Sequence, residues 1–170
     1  AASESPAQLQ ALMNIEGNLT PADATFTRRA VEAFYSFAED TTAWSAWFRS
    51  TFVPSLTASE HGRPSSSLLR YYSSILLCRP EAFLANSLEI LQLSEVPPGE
   101  TLSPIAARYL AVGLPKLYCW GTNSLDPATQ HLLARCGLPN RSFPGAGHWP
   151  MIDTPEAFSA GLKDWLISRP

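Results

Sequence analysis

An α/β fold with about three parallel strands, flanking helices and a long helical middle is what this sequence predicts. Three observations carry it. Leu9–Gly17 and Leu114–Trp120 are short apolar runs with the length and continuity of strands buried on both faces, as in a parallel sheet. Asn140–Phe143 is a third short run, reached through a helical segment that stops at Gly137, so strand and helix alternate toward the C-terminus. Between Thr41 and Leu114 no strand pattern occurs and helical patterns follow one another.

The first strand closes on Glu16-Gly17-Asn18. Thr20-Pro21-Ala22-Asp23 then offers an N-cap hydroxyl, a proline at the first helical position and a carboxylate three residues after the cap, which predicts a helix to about Glu39. Four more helices are expected over 42–55, 65–77, 80–91 and 103–112. Many of the 15 prolines fall between them, which favours short helices meeting at angles. The strand LPKLYCW ends at Gly121, and Asp126-Pro127 opens a helix whose Leu132, Leu133 and Cys136 lead to Gly137 as its stop. PGAGHWP after the third strand is an irregular loop. Thr154-Pro155 starts the last helix, where Phe158, Leu162, Trp165 and Leu166 fall at i, i+4, i+7 and i+8 and face the sheet. The chain therefore divides into a sheet region, 1–20 and 114–170, and a helical region, 21–113. Parallel strands joined through helices imply right-handed crossovers.

Composition narrows the function. With 45% hydrophobic and 16% charged residues the chain can bury a core, so it is a folded protein. Net charge is -3, and Arg28-Arg29 is the one adjacent basic pair, which gives no footprint for nucleic acid or an anionic membrane. Apolar runs fall short of the ~18 residues needed to span a bilayer, and AASESPAQ lacks the character of a signal peptide. Cys78, Cys119 and Cys136 are odd in number and unpatterned, so neither a disulfide framework nor a metal cluster is expected. A cytoplasmic protein without cofactor, acting on a small uncharged partner, is the expectation. AASESP reads as the end of a helix running into a turn, so a segment before Ala1 is also expected.

His148 is the sharpest candidate for chemistry. It follows a glycine-rich bend directly after a strand, and ligand-binding residues in open parallel sheets gather beyond the strands' carboxyl ends. An imidazole there is poised to move protons near neutral pH. His61 and His131 read as solvated or packed. The helical middle carries Trp44, Trp47 and Phe48, which at helical spacing are core or pocket lining.

The run Gly145-Ala146-Gly147-His148-Trp149-Pro150, followed by Pro155-Glu156-Ala157-Phe158, closely resembles the catalytic-histidine region of α/β-hydrolases. LPKLYCWG resembles their penultimate strand, and IEGNLTP the exit from their sixth strand into a helical lid, so the resemblance covers the whole chain. It implies a triad of nucleophile, acid and His148, no cofactor, and hydrolysis of an ester, epoxide, carbon-halogen or similar bond in a small apolar substrate. In the family the nucleophile stands on Gly-x-Ser-x-Gly before the sixth strand. No such run occurs here: Ser3, Ser5, Ser36 and Ser65 to Ser67 lack the flanking glycines, and the elbow's place lies ahead of Ala1. The resemblance thus implies the C-terminal half of the fold, inert by itself.

Two carboxylates compete for the acid. The usual place after the penultimate strand holds Ser124, with Asp126 two residues on, where it also reads as a helix cap. Glu16 stands where relatives resembling haloalkane dehalogenases keep their acid, and it ranks ahead of Asp126. It also reads as a residue pinning its turn. As a lid, residues 21–113 would offer Trp44, Trp47 and Phe48 to the substrate, with Trp149 beside the histidine. The expected partners are the substrate and either a missing N-terminal half or a second copy pairing along the first strand. From another class, a binding or interaction module that has abandoned chemistry fits the same residues.

Overall fold

The computed structural model describes residues 9–57 and 74–168. In chain order the elements are β1 (Leu12–Ile15), α1 (Thr25–Ser36), α2 (Thr41–Trp47), α3 (Val53–Thr57), α4 (Pro80–Ser94), α5 (Pro104–Ala111), β2 (Lys116–Gly121), α6 (Pro127–Arg135), β3 (Asn140–Phe143), α7 (Pro150–Asp153) and α8 (Pro155–Ile167). They group into two compact units. A helical unit spans Ala24–Leu93, and a sheet unit takes the rest.

In the sheet unit the three strands are all parallel, in the order β1-β2-β3. Leu12 pairs with Lys116 and Ile15 with Cys119, while Tyr118 pairs with Asn140 and Gly121 with Phe143. Side-chain alternation along β2 divides the core into two layers. Tyr118 points into a cluster with Leu19, Ala106, Tyr109, Leu125, Leu132, Leu133 and Leu138. Leu117 and Cys119 point the other way, to Phe143 and Ala146, and Phe158 and Trp165 of α8 cover that cluster. At Gly161 α8 leaves room for Arg141 of β3, whose guanidinium donates to the Gly161 carbonyl.

β1 is shorter than the nine-residue run expected and only half-buried along its length. Two local features end it. Glu16 sits at φ 43°, outside the strand region, and the Gly17 N–H folds back onto Asn14 Oδ1 at 2.7 Å. Half-burial follows from its place, since among the described residues it has a strand neighbour on one side alone.

The turn after β1 is capped differently from the expectation. Asp23, not Thr20, supplies the accepting group: its Oδ2 takes the N–H groups of Leu19 and Thr20, both at 2.9 Å. Its Oδ1 takes the Thr129 hydroxyl at 2.6 Å and so ties the turn to α6. Residues 21–24 form a single 3-10 turn before α1, which stops at Ser36 because Ala38 and Glu39 adopt positive φ. α5 lies in the sheet unit rather than in the helical region expected over 21–113, because Ala106 and Tyr109 pack against Tyr118 and Leu132. Ser103 caps its start, and the Lys116 ammonium closes its end on the carbonyls of Tyr109, Leu110 and Val112.

In the helical unit the segment expected over 42–55 is helical but not uniform. Residues 48–52 widen into a π turn before Pro54, whose ring and missing N–H disrupt the α-helical ladder at that point. Trp44, Phe48, Phe52 and Val53 form its buried centre, with ring centroids 5.3 Å apart for Trp44–Phe48 and 4.9 Å for Phe48–Phe83. The helix expected over 65–77 lies mostly outside the described residues, and its last part is a 3-10 turn, Ser74–Leu77. Among the described residues no helix is long and apolar enough to cross a membrane.

Candidate active site

Three loops meet beyond the carboxyl ends of the strands in the sheet unit. The first leaves β1 at Glu16, the second leaves β2 at Gly121, and the third leaves β3 and carries His148. Parallel strands in register deliver these exits side by side, so residues far apart in sequence become neighbours.

His148 Nδ1 lies 2.8 Å from Glu16 Oε2, across 132 positions of sequence. The Glu16 side chain is 4% exposed and that of His148 30%. The other carboxylate oxygen, Oε1, accepts the Gly121 N–H and the Ser124 hydroxyl, both at 2.6 Å. A carboxylate so buried is retained because donors surround it. With Glu16 ionised, the nitrogen facing it carries the proton, which fixes the neutral ring as the Nδ1–H tautomer. The φ of 43° at Glu16 costs about 1 kcal/mol or more for a residue with a Cβ. The interactions of its carboxylate offset that cost.

The histidine loop is fastened to the exit of β2. Gly145 donates its N–H to Thr122 Oγ1 at 2.9 Å, Asn123 donates its N–H to the Ala146 carbonyl at 3.0 Å, and Asn123 Nδ2 donates to the Gly145 carbonyl at 3.1 Å. Gly147 donates to Asp153 Oδ2 at 2.8 Å, which anchors the loop to the short helix α7. Such close approach requires glycine at 121, since a Cβ there would collide with the carbonyl oxygens of Ala146 and Gly147. The Trp149 ring meets the His148 ring edge to face, with centroids 4.6 Å apart.

Of the residues singled out from sequence, Glu16, His148 and Trp149 come together. Asp126 does not meet the imidazole through any described contact. Its carboxylate accepts the Ala128 N–H at 2.8 Å and caps α6, an ordinary use of an aspartate before proline. Trp44, Trp47 and Phe48 lie in the helical unit. Trp44 and Phe48 are 1% and 0% exposed, and Trp44 Nε1 donates to the Ala30 carbonyl at 2.9 Å. Trp47 keeps part of its surface accessible while packing on Phe37 and Phe52. Sequence reasoning missed the roles of Gly121, Asn123, Ser124 and Asp153. The Trp-Gly at the end of β2 marked the right turn, but nothing in sequence shows which turn residue reaches across to Glu16. Among the described residues no group of three or more His, Cys, Asp or Glu is arranged to hold a metal ion.

No family model and no curated protein matches the sequence. Solved structures do resemble the fold. A thermophilic esterase from Thermogutta terrifontis, solved with malate bound, superimposes with a TM-score of 0.61 at 18% identity, covering 98% of this chain and 58% of its own. MGS-M2, an α/β-hydrolase enzyme from a Medee basin deep-sea metagenome library, gives 0.57 at 13% identity, with 99% and 60% covered. Carboxylesterase CesB of Bacillus subtilis gives 0.50 at 11%, with 99% and 55% covered. The chain thus has the fold of the C-terminal portion of an α/β-hydrolase and spans about three fifths of the length of these neighbours.

Proposed function

We propose that this chain supplies the acid and the histidine of an α/β-hydrolase site, with Glu16 as acid and His148 as general base. The observation carrying the proposal is the 2.8 Å approach of His148 Nδ1 to a buried carboxylate at the strand ends. With Nδ1–H committed to Glu16, Nε2 is the nitrogen that takes the nucleophile's proton and returns it to the leaving group. Glu16 holds the ring in that tautomer and stabilises the imidazolium formed on the way.

The sequence has no Gly-x-Ser-x-Gly, so the nucleophile and the oxyanion donors of the proposed site come from a polypeptide beyond these 170 residues. β1, paired on one side alone among the described residues, is the natural strand for such a polypeptide, or a second copy, to extend. Taken alone, the chain is inert toward esters, because histidine and acid act only with the nucleophile. The substrate is a small apolar ester or a related epoxide or halide, a reading supported by the Trp149 ring against the imidazole and by the esterases among the structural neighbours. Asp126, as a cap, takes no part in this chemistry. Trp44 and Phe48, 1% and 0% exposed, are core of the helical unit and, with Trp47 packed beside them, are left out of the proposed site.

The missing elbow also favours a second reading, a ligand-binding module that has lost chemistry. One assay separates them. The 170-residue chain, and the polypeptide read from the frame upstream of Ala1, are offered a short p-nitrophenyl ester. Turnover by the longer polypeptide, falling about 10³-fold or more in His148→Ala, is expected. Turnover unchanged by His148→Ala, or an upstream frame without a nucleophile motif, refutes the hydrolase reading and leaves saturable binding without turnover as the alternative.

A further inference from the structure

We infer that Ser124 is a positioning residue, whose hydroxyl fixes the Glu16 carboxylate so that one oxygen, Oε2, is presented to His148. The inference rests on the reading of Glu16 and His148 as an acid–histidine pair. Glu16 reaches the imidazole through three rotatable side-chain bonds, so a carboxylate at its end has freedom that must be removed if the pair is to hold one geometry. The backbone contributes part of the restraint, through the Gly121 N–H on Oε1 at 2.6 Å. A single donor on one oxygen still permits the plane of the carboxylate to turn about that hydrogen bond.

Ser124 removes this freedom. Its Oγ donates to the same oxygen at 2.6 Å from a different direction, three residues further along the same turn. The alternative acceptor for that hydroxyl, the Gly121 carbonyl, lies farther away at 3.3 Å, so the carboxylate is the better partner. With two donors fixing Oε1, the position of Oε2 is determined, and His148 Nδ1 meets it at 2.8 Å. The turn that begins at Gly121 therefore performs two tasks. Its Asn123 and Thr122 hold the histidine loop, and its Gly121 and Ser124 hold the carboxylate. Acid and base are aligned against one rigid reference, the end of β2.

The chemistry also restricts what position 124 can be. A second carboxylate there would stand within hydrogen-bonding distance of Glu16, and two like charges at that range cannot both remain ionised. A hydroxyl is small, neutral and able to donate.

The test uses the 170-residue chain with its histidines labelled by ¹⁵N, the His148 ring being assigned by its loss in His148→Gln. Ring-nitrogen shifts report the ratio of the two neutral tautomers, which stability by itself does not set. Thr and Val differ at Cγ by hydroxyl against methyl, so Ser124→Thr and Ser124→Val compare a donor with its absence at equal bulk, with Ser124→Ala as the smaller variant. Wild type and Ser124→Thr are expected to hold the ring as Nδ1–H. Ser124→Val and Ser124→Ala are expected to lower the Nδ1–H to Nε2–H ratio about tenfold, the size of one charge-assisted hydrogen bond. Unchanged ratios in both Val and Ala variants, with Glu16→Leu, which has no acceptor, still depleting the Nδ1–H form, overturn the role of Ser124 and leave the pair intact. A ratio unaffected by Glu16→Leu instead overturns the pairing itself.

Discussion

Replacing Gly121 by alanine tests the geometry of the site without touching any ionisable group. A Cβ at this position falls on the carbonyl oxygens of Ala146 and Gly147, which are backbone atoms of the histidine loop and cannot rotate away. The loop must retreat, and the hydrogen bonds that oppose that movement include the two from Asn123: its N–H to the Ala146 carbonyl at 3.0 Å and its Nδ2 to the Gly145 carbonyl at 3.1 Å. At about 1 kcal/mol each, their loss contributes roughly 2 kcal/mol. Overpacking at a tight backbone approach adds about 1–3 kcal/mol. Alanine returns up to about 1 kcal/mol by restricting the unfolded chain, so a net destabilisation of about 2–4 kcal/mol is expected. Gly113→Ala is the control, since a Cβ there meets nothing within 4 Å and the backbone is not at positive φ. The assay is the urea midpoint followed by circular dichroism, at unchanged denaturant slope. Gly121→Ala within about 0.5 kcal/mol of Gly113→Ala would refute the claim that the histidine loop is seated against the end of β2.

Three further outcomes follow from the same structure. Asp126→Ala removes the cap of α6 and is expected to cost about 1 kcal/mol in urea unfolding while leaving the His148 ring signals in place; altered ring signals would mean that Asp126 belongs to the site. Trp44→Phe is expected to cost about 1–3 kcal/mol, because it deletes a buried hydrogen bond to the Ala30 carbonyl and thins the aromatic centre of the helical unit, and a loss below about 0.5 kcal/mol would contradict that packing. Burial pushes the Cys119 thiol from its ordinary value near 9 up to about 11, pushes Tyr109 up to about 12 and raises Tyr118 as well. Each is neutral when protonated and its folded value lies above the unfolded one, so the unfolded chain loses these protons first. Their contribution is complete below about pH 9 and is lost as pH rises toward 11 and beyond, with Lys116, lowered by burial, acting in the opposite direction as one group against three. The urea midpoint is expected to fall between about pH 9 and pH 10.5, and a midpoint that rises over that range would contradict the burial of these three groups.

The sequence disclosed the parallel sheet because β2 and β3 announce themselves locally. KLYCWG is apolar and closed by glycine, and Asn140–Phe143 is bracketed by Pro139 and Pro144. β1 was legible in place but not in length, since its end depends on the left-handed backbone of Glu16 and the Asn14–Gly17 turn, which no periodicity encodes. The π turn at Phe48–Phe52 was hidden for a similar reason, as it is a local response to Pro54 inside a helical pattern. In the site, His148 stood out because its loop is a contiguous string. Its neighbours did not, because Glu16, Gly121, Ser124 and Asp153 converge through the register of the sheet and are separated by as many as 137 positions (153 − 16) in the chain. Asp126 shows the converse. Its chemistry admitted two uses, and its carboxylate is occupied by the nearest backbone donor of its own helix.

A double-mutant cycle measures which carboxylate faces the imidazole. Glu16→Gln, His148→Gln and the double variant are unfolded in urea alongside wild type, and Asp126→Asn is cycled with His148→Gln in the same way. A coupling of about 1–3 kcal/mol between Glu16 and His148, with coupling near zero between Asp126 and His148, is the expected result for a hydrogen-bonded pair at 2.8 Å and an unrelated cap. The reverse pattern, or no coupling in either cycle, would contradict it.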